Sequence, residues 1–140
     1  MSEKKIVGIT MGDPASIGPE ITVKAFADKS LYDLCNPVVV GDASVMEAAL
    51  PVVGHTEMKI NAIKDVSEAK YEYGTIDVLD MGLVDMAQLK RGEVSAMCGD
   101  AAFKYVTKVI ELAMDKKVDA TVTNAFNKEA VNLAGHHYSG

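Results

Sequence analysis

Cysteine is scarce in this chain. The 140 residues hold two, Cys35 and Cys98, far apart and in no metal or redox spacing. No disulfide framework follows from them, and two lone thiols in an ordinary globular composition point to a reducing cytosol. Positive charge is short as well. Fourteen Lys and Arg stand against 20 Asp and Glu, the net charge is −6 and the pI about 5.0. With no basic cluster anywhere, this argues against a nucleic-acid footprint. No apolar run approaches the ~20 residues of a membrane span. The opening MSEKKIVGIT has only a short apolar stretch, Ile6 to Ile9, too little for a secretory signal. The dinucleotide fingerprint G-x-G-x-x-G is missing too, since Gly12 and Gly18 have the wrong spacing. Histidines are few. His136 and His137 are adjacent, so in a strand they point to opposite faces and would not share a metal. Repeats and low-complexity linkers are absent.

What remains is 49% hydrophobic and 24% charged, enough to bury a core within one domain's length. Lys4–Thr10 reads as a short buried strand. Pro19 opens a helix with Gly18 as N-cap and Glu20 in its first turn, its imperfect apolar face carried by Ile21, Val23, Lys24, Ala25 and Phe26. Pro37–Gly41 reads as a second buried strand. Ser44-Val45-Met46-Glu47 has the form of a capping box, opening a short helix through Met46, Ala49 and Leu50 that Pro51 stops. Residues 58–63 and 75–81 read as further strands. Gly99 to Lys117 is the strongest helix, with Ala102, Phe103, Val106, Val109, Ile110, Ala113 and Met114 at helical spacing. Residues 119–124 are then a buried strand, and Asn127–Ala134 a short helix closed by Gly135. Strands alternating with helices imply an α/β fold with a largely parallel sheet flanked by helices. In such sheets ligands sit outside the carboxyl ends of the strands. That rule selects the loops after Thr10, Gly41 and Thr123.

The first of these loops, GITMGDPASIGPEI from Gly8 to Ile21, is stiff and acidic. Gly12 and Gly18 permit positive φ or a close approach, and Pro14 and Pro19 restrict the rest. It is not a simple phosphate cradle. Pro19 removes a free N–H, Glu20 occupies the positive end of the dipole, and Asp13 would repel a phosphate. A carboxylate there suits a hydroxyl, an ammonium group or a hydrated metal. The plain alternative is a rigid turn in which Asp13 bonds its own backbone. At the other end, Thr123, Asn124, Asn127 and Lys128 follow a strand. They could hydrogen-bond a polar substrate, with Lys128 pairing an anion. Alternatively they form an ordinary turn with Asn127 as N-cap and Lys128 in solvent. Asp42 follows the second strand, where a ribose-binding acid would stand, or it is simply a helix-start acid. Met81, Leu83, Val84, Met86 and Leu89 read as packing rather than a cofactor surface.

At ITMGDPASIGPEI the sequence resembles the signature of the 4-hydroxythreonine-4-phosphate dehydrogenase family, a G-D-P-A-G-I-G-P-E run. The likeness continues through Gly92-Glu93-Val94-Ser95, through Gly99-Asp100-Ala101-Ala102, and through DATVTNAFNKEAVNLAG, which is similar to the family's strand, T-x-P-x-x-K turn and short helix. The resemblance implies an isocitrate/isopropylmalate-dehydrogenase-like fold and a cytoplasmic, homodimeric, NAD-dependent dehydrogenase that needs a divalent metal. Its substrate is a small phosphorylated hydroxy acid, oxidised to a β-keto acid that loses carbon dioxide. Ser16 stands where the biosynthetic members have glycine. Asn124, Ala125 and Asn127 replace the usual G-P and histidine. The second departure resembles the branch acting on D-threonate or D-erythronate 4-phosphate. The alternatives are the enzyme of pyridoxal phosphate biosynthesis and a non-catalytic α/β module for a small ligand. The substrate or cofactor pocket is expected to include Gly12, Asp13, Thr123, Asn127 and Lys128.

One further match is misleading. Gly54-His55-Thr56-Glu57 spells the family's substrate-gripping G-H-T-E motif but precedes the TNAFNK turn instead of following it. The motif proper is expected to begin at Gly140. Residues 1–140 are thus expected to be the N-terminal part of a two-domain subunit. Metal ligands and catalytic histidines are expected beyond Gly140, and these residues alone are expected to be inactive.

Overall fold

The computed structural model describes residues 4–124 and Gly135. Five parallel strands form one sheet: β1 (Ile6–Thr10), β2 (Asn36–Gly41), β3 (Lys59–Ile63), β4 (Thr75–Asp80) and β5 (Ala120–Val122). Their spatial order is β3-β4-β2-β1-β5. Four helices connect them: α1 (Gly18–Ala27), α2 (Lys29–Leu34), α3 (Ala43–Val52) and α4 (Ala96–Met114). Crossovers from β1 to β2 and from β2 to β3 run one way along the sheet. The crossover from β4 to β5 runs the other way. Right-handed connections therefore put α1 and α3 on one face, in mutual contact, and α4 on the other, over β1, β2 and β5.

The central strands are buried on both sides, so β2 reads as an unbroken apolar run instead of an alternation; Val38, Val39 and Val40 have no exposed surface. Gly8 lets α4 approach β1 closely. A Cβ there would lie 2.7 Å from the Val109 side chain.

The α/β class and the parallel sheet are as the sequence implies, but several local expectations are corrected. Gly18 is the first residue of α1, not its cap; Ile17 is the N-cap. Gly18 is needed because a Cβ would fall 2.4 Å from the Met11 carbonyl oxygen. Ser44 caps nothing. α3 starts at Ala43, whose N–H donates to Asp80 Oδ1 at 3.1 Å, so a carboxylate from the neighbouring strand end takes the place of a capping box. Pro51 lies inside the last turn of α3 instead of stopping it. Ser95 caps α4 by accepting from the Cys98 N–H at 3.2 Å, and the helix begins three residues before Gly99. Its sheet-facing strip is Cys98, Ala101, Ala102, Tyr105, Val109 and Leu112, while Ile110 and Met114 are 50% and 78% exposed. β5 is exposed in all three residues rather than buried. α2 was not foreseen, although Asp28 caps it by accepting from the Ser30 N–H. The expected helix Asn127–Ala134 lies outside the described residues.

Candidate functional site

The site is built where β1 ends. The Met11 N–H donates to Val40 O at 3.0 Å, which extends the sheet ladder by one residue. The Met11 side chain is fully buried, in space left by Gly41, where a Cβ would lie 2.7 Å from that of Met11. Gly12 then takes φ +83° and turns the chain away from the sheet.

Asp13 follows. It is 2% exposed, and its Oδ1 accepts from the Ala15 N–H at 2.8 Å. Its carbonyl accepts from the Ser16 N–H at 3.1 Å. Burial pushes its carboxyl above the ordinary range, opposed by the Ala15 hydrogen bond. The turn in which Asp13 bonds its own backbone is therefore present. Cys98, in the first turn of α4, is 1% exposed. Burial foremost, with the Asp13 charge adding, raises its thiol, so it stays protonated and does not suit a nucleophile.

Two contacts brace the loop from outside. The Gly92 N–H donates to Ala15 O at 2.7 Å, and the Arg91 guanidinium pairs with Glu20. Glu20 at the start of α1 is thus neutralised by a residue that sequence reasoning passed over. An open crevice of about 400 Å³ lies between Ala15, Ser16, Ile17, Glu20, Arg91 and Gly92.

Asn124 ties the end of β5 to this loop. Its N–H donates to Thr10 Oγ1 at 3.0 Å, and its Nδ2 donates to Thr10 O at 2.9 Å and to Thr22 Oγ1 at 2.7 Å. Thr22 Oγ1 donates in turn to Gly18 O at 2.7 Å. One amide side chain thereby joins the ends of β1 and β5 to α1. Thr10 and Thr22 were not singled out in the sequence, and only the paired loops after Thr10 and Thr123 hinted at them. Of the expected pocket residues, Gly12 and Asp13 lie together, and Thr123 is exposed next to Asn124. Asn127 and Lys128 lie outside the described residues.

Asp42 is the N-cap residue of α3, the helix-start acid of the plain alternative, and its carboxylate is engaged within the fold. It is 1% exposed, with Oδ1 accepting from the Tyr105 hydroxyl at 2.7 Å and Oδ2 from the Val84 N–H at 2.8 Å. Burial, with the Asp42 charge second, holds the Tyr105 hydroxyl far above its usual range. The Gly54–Glu57 stretch precedes β3 and so lies at the amino end of the sheet, opposite the site. There the His55 ring meets Glu57 at 2.9 Å near the surface. Met81, Leu83, Val84 and Leu89 pack against the core as expected, whereas Met86 is exposed. Among the described residues no group of three His, Cys, Asp or Glu could hold a metal, and no helix is long and apolar enough to cross a membrane. The described residues do not by themselves fit a catalytic divalent ion.

The fold and the polar loops at its carboxyl edge define a parallel α/β protein with a candidate ligand site at its strand ends. The comparisons name the family. The model of the family described as Pyridoxal phosphate biosynthetic protein PdxA matches residues 33–140, and the chain belongs to that family. A protein of Halalkalibacterium halodurans with the provisional name D-threonate 4-phosphate dehydrogenase is 49% identical over all 140 residues. The solved 4-hydroxythreonine-4-phosphate dehydrogenase of Burkholderia phymatum is 47% identical with a TM-score of 0.95, covering 99% of this chain. That of Klebsiella pneumoniae is 38% identical with a TM-score of 0.90, also over 99% of this chain. In each of the three the chain spans 42% of the relative's length.

Proposed function

We propose that these residues form one wall of the active site of an NAD-dependent, divalent-metal-dependent dehydrogenase. Its substrate is D-threonate or D-erythronate 4-phosphate, oxidised to a β-keto acid that then loses carbon dioxide. The observation that carries this reading is the Asn124 tie. It ties the chain just past β5 to Thr10 and Thr22, at the strand ends where α/β enzymes hold their ligands. The name of the H. halodurans relative supports the substrate class.

In this reading Gly12 and Asp13 shape the pocket shared by substrate and nicotinamide, and Thr123, Asn127 and Lys128 face it from the other loop. The Lys128 ammonium pairs an anionic group of the substrate. Asp13, a buried carboxyl that would repel an anion, suits a substrate hydroxyl better than a phosphate. NAD supplies the hydride acceptor. The metal belongs to residues outside those described, and the phosphate grip belongs there too. The enzyme is a cytoplasmic homodimer, and residues 1–140 alone do not turn over.

The test is NAD reduction with D-threonate 4-phosphate, D-erythronate 4-phosphate and 4-hydroxythreonine 4-phosphate plus a divalent metal. It is run on the 140 residues and on a chain of the relatives' full length. Preference for the amine substrate would favour the second reading, the one in the names of the B. phymatum and K. pneumoniae proteins. Turnover by the 140 residues alone would overturn the assignment of the metal and phosphate contacts to the rest of the chain.

A further inference from the structure

The Asp13 turn keeps its shape through its own bonds, Ala15 N–H to Asp13 Oδ1 and Ser16 N–H to Asp13 O. Both lie inside the turn, so they do not fix where it stands against the strand ends. In front of it the chain leaves the sheet at Gly12, with φ +83°. Behind it α1 is fastened through Thr22 to Asn124. The tip of the turn is supported from a third direction, by the chain between β4 and α4.

Residues 81–95 form no helix or strand, yet both of their ends are pinned. At one end the Met81 N–H donates to Gly41 O at 2.9 Å. Val84 N–H then donates at 2.8 Å to Asp42, the buried carboxylate that also takes the Tyr105 hydroxyl. At the other end Ser95 caps α4. Between these anchors, the polar contacts that residues 85–94 make with other elements among the described residues fall on the opening loop and the helix it leads into. They are the Gly92 N–H on Ala15 O, at 2.7 Å, and Arg91 on Glu20. The aim is set locally. Glu93 N–H donates to Lys90 O at 3.2 Å and closes a turn in which Gly92 has φ +82°, the left-handed region that favours glycine. Just before it, Leu89 packs against the core and shares a narrow cleft with Pro14, Pro19 and Val45. An apolar foot, an ion pair and a backbone hydrogen bond thus meet the opening loop and the start of α1 within residues 89–92.

We propose that residues 81–95 are a strap that sets the place of the Asp13 turn for the reaction, with Arg91 as its positioning residue. The Arg91 guanidinium is taken up by Glu20. It works through that partner, and through Gly92 on Ala15, to hold Asp13. Arg91 is 46% exposed, and so exposed a pair adds little to global stability. Its removal therefore acts on local placement. Small displacements at a reacting centre are costly to rate. The role rests on the dehydrogenase reading proposed above, in which Asp13 meets the substrate hydroxyl.

Hydrogen exchange followed by NMR on the 140-residue chain reads the placement. Arg91→Ala should speed exchange of the Ala15 and Ser16 amides ~10-fold or more. The amides of β1 and β2 should not change, and the thermal midpoint should stay within about 2 °C. Glu20→Ala should have the same effect, and the double variant no larger one. Unchanged exchange at Ala15 and Ser16 would overturn the proposal. NAD reduction by a chain of the relatives' length, with the three 4-phosphorylated substrates and divalent metal, reads the chemistry. Arg91→Ala should lower kcat ~10-fold or more with KM held within about twofold, and Arg91→Lys should recover most of the loss. An active wild type whose kcat Arg91→Ala leaves unmoved would overturn the positioning role even if exchange is faster. A wild type inactive on all three substrates would instead sink the dehydrogenase reading, and the strap's part in catalysis with it.

Discussion

Asn124 offers the sharpest test of how the site is held together. Asn124→Ala keeps the backbone bond to Thr10 Oγ1 but deletes both Nδ2 bonds, at 2.9 and 2.7 Å. Their acceptors belong to residues 1% and 2% exposed, so water replaces the lost donors poorly. At about 1 kcal/mol for each such bond, the loss comes to about 2 kcal/mol. Asn124→Asp keeps the shape but turns an oxygen towards the Thr10 carbonyl in place of a donor, and should cost more than alanine. Thr22→Val removes the third corner of the network. A double-mutant cycle between Asn124→Ala and Thr22→Val should return a coupling of about 1 kcal/mol, since both remove the same 2.7 Å bond. Urea unfolding reads the wild type and all four variants, with the m-value constant throughout. A cost below about 0.5 kcal/mol for alanine, or aspartate no worse than alanine, would refute the claim that this amide fastens β5 to the opening loop.

Three other expectations concern neighbouring groups. Tyr105→Phe leaves Asp42 Oδ1 buried without its donor and should cost about 1–3 kcal/mol; an unchanged thermal midpoint would dismiss the bond as incidental. Asp13 has a folded-state pKa raised above 3.8 by burial. Its contribution to stability is therefore fully present below 3.8 and lost as pH rises through the folded value. Asp13→Asn, which keeps an acceptor for the Ala15 N–H, should be more stable than wild type at pH 7. The gap should close as pH falls towards 3.8, and a gap that widens on acidification would contradict the burial argument. In the full-length enzyme Lys128→Ala should raise KM sharply; an unchanged KM removes Lys128 from the site.

The sequence revealed elements wherever a pattern is local. β1 and β2 announced themselves as short β-branched runs, and the α1 start followed from Pro19 and Glu20. The misses are tertiary. Ser44-x-x-Glu47 is a valid capping pattern, but Asp80 from a strand 37 residues away reaches the Ala43 N–H first. The face of α4 was drawn one strip off because the apolar residues run on past the sheet-facing strip through Ala113, Val106, Ile110 and Met114, and periodicity alone does not say which part of that arc meets the sheet. The site was half legible. Gly12 and Asp13 stood out by composition and strand-end position. Arg91, Gly92, Thr10 and Thr22 carry no local signature, because their roles depend on loops that meet only in the fold. The motif-like Gly54–Glu57 was set aside on chain order, and its position at the amino end of the sheet gives the spatial reason.

The measurement closest to the central claim is NAD reduction by the full-length protein with the three 4-phosphorylated substrates and divalent metal. The account predicts turnover that is fastest with D-threonate or D-erythronate 4-phosphate and absent from residues 1–140 alone. Oxidation of none of the three by the full-length protein would contradict it.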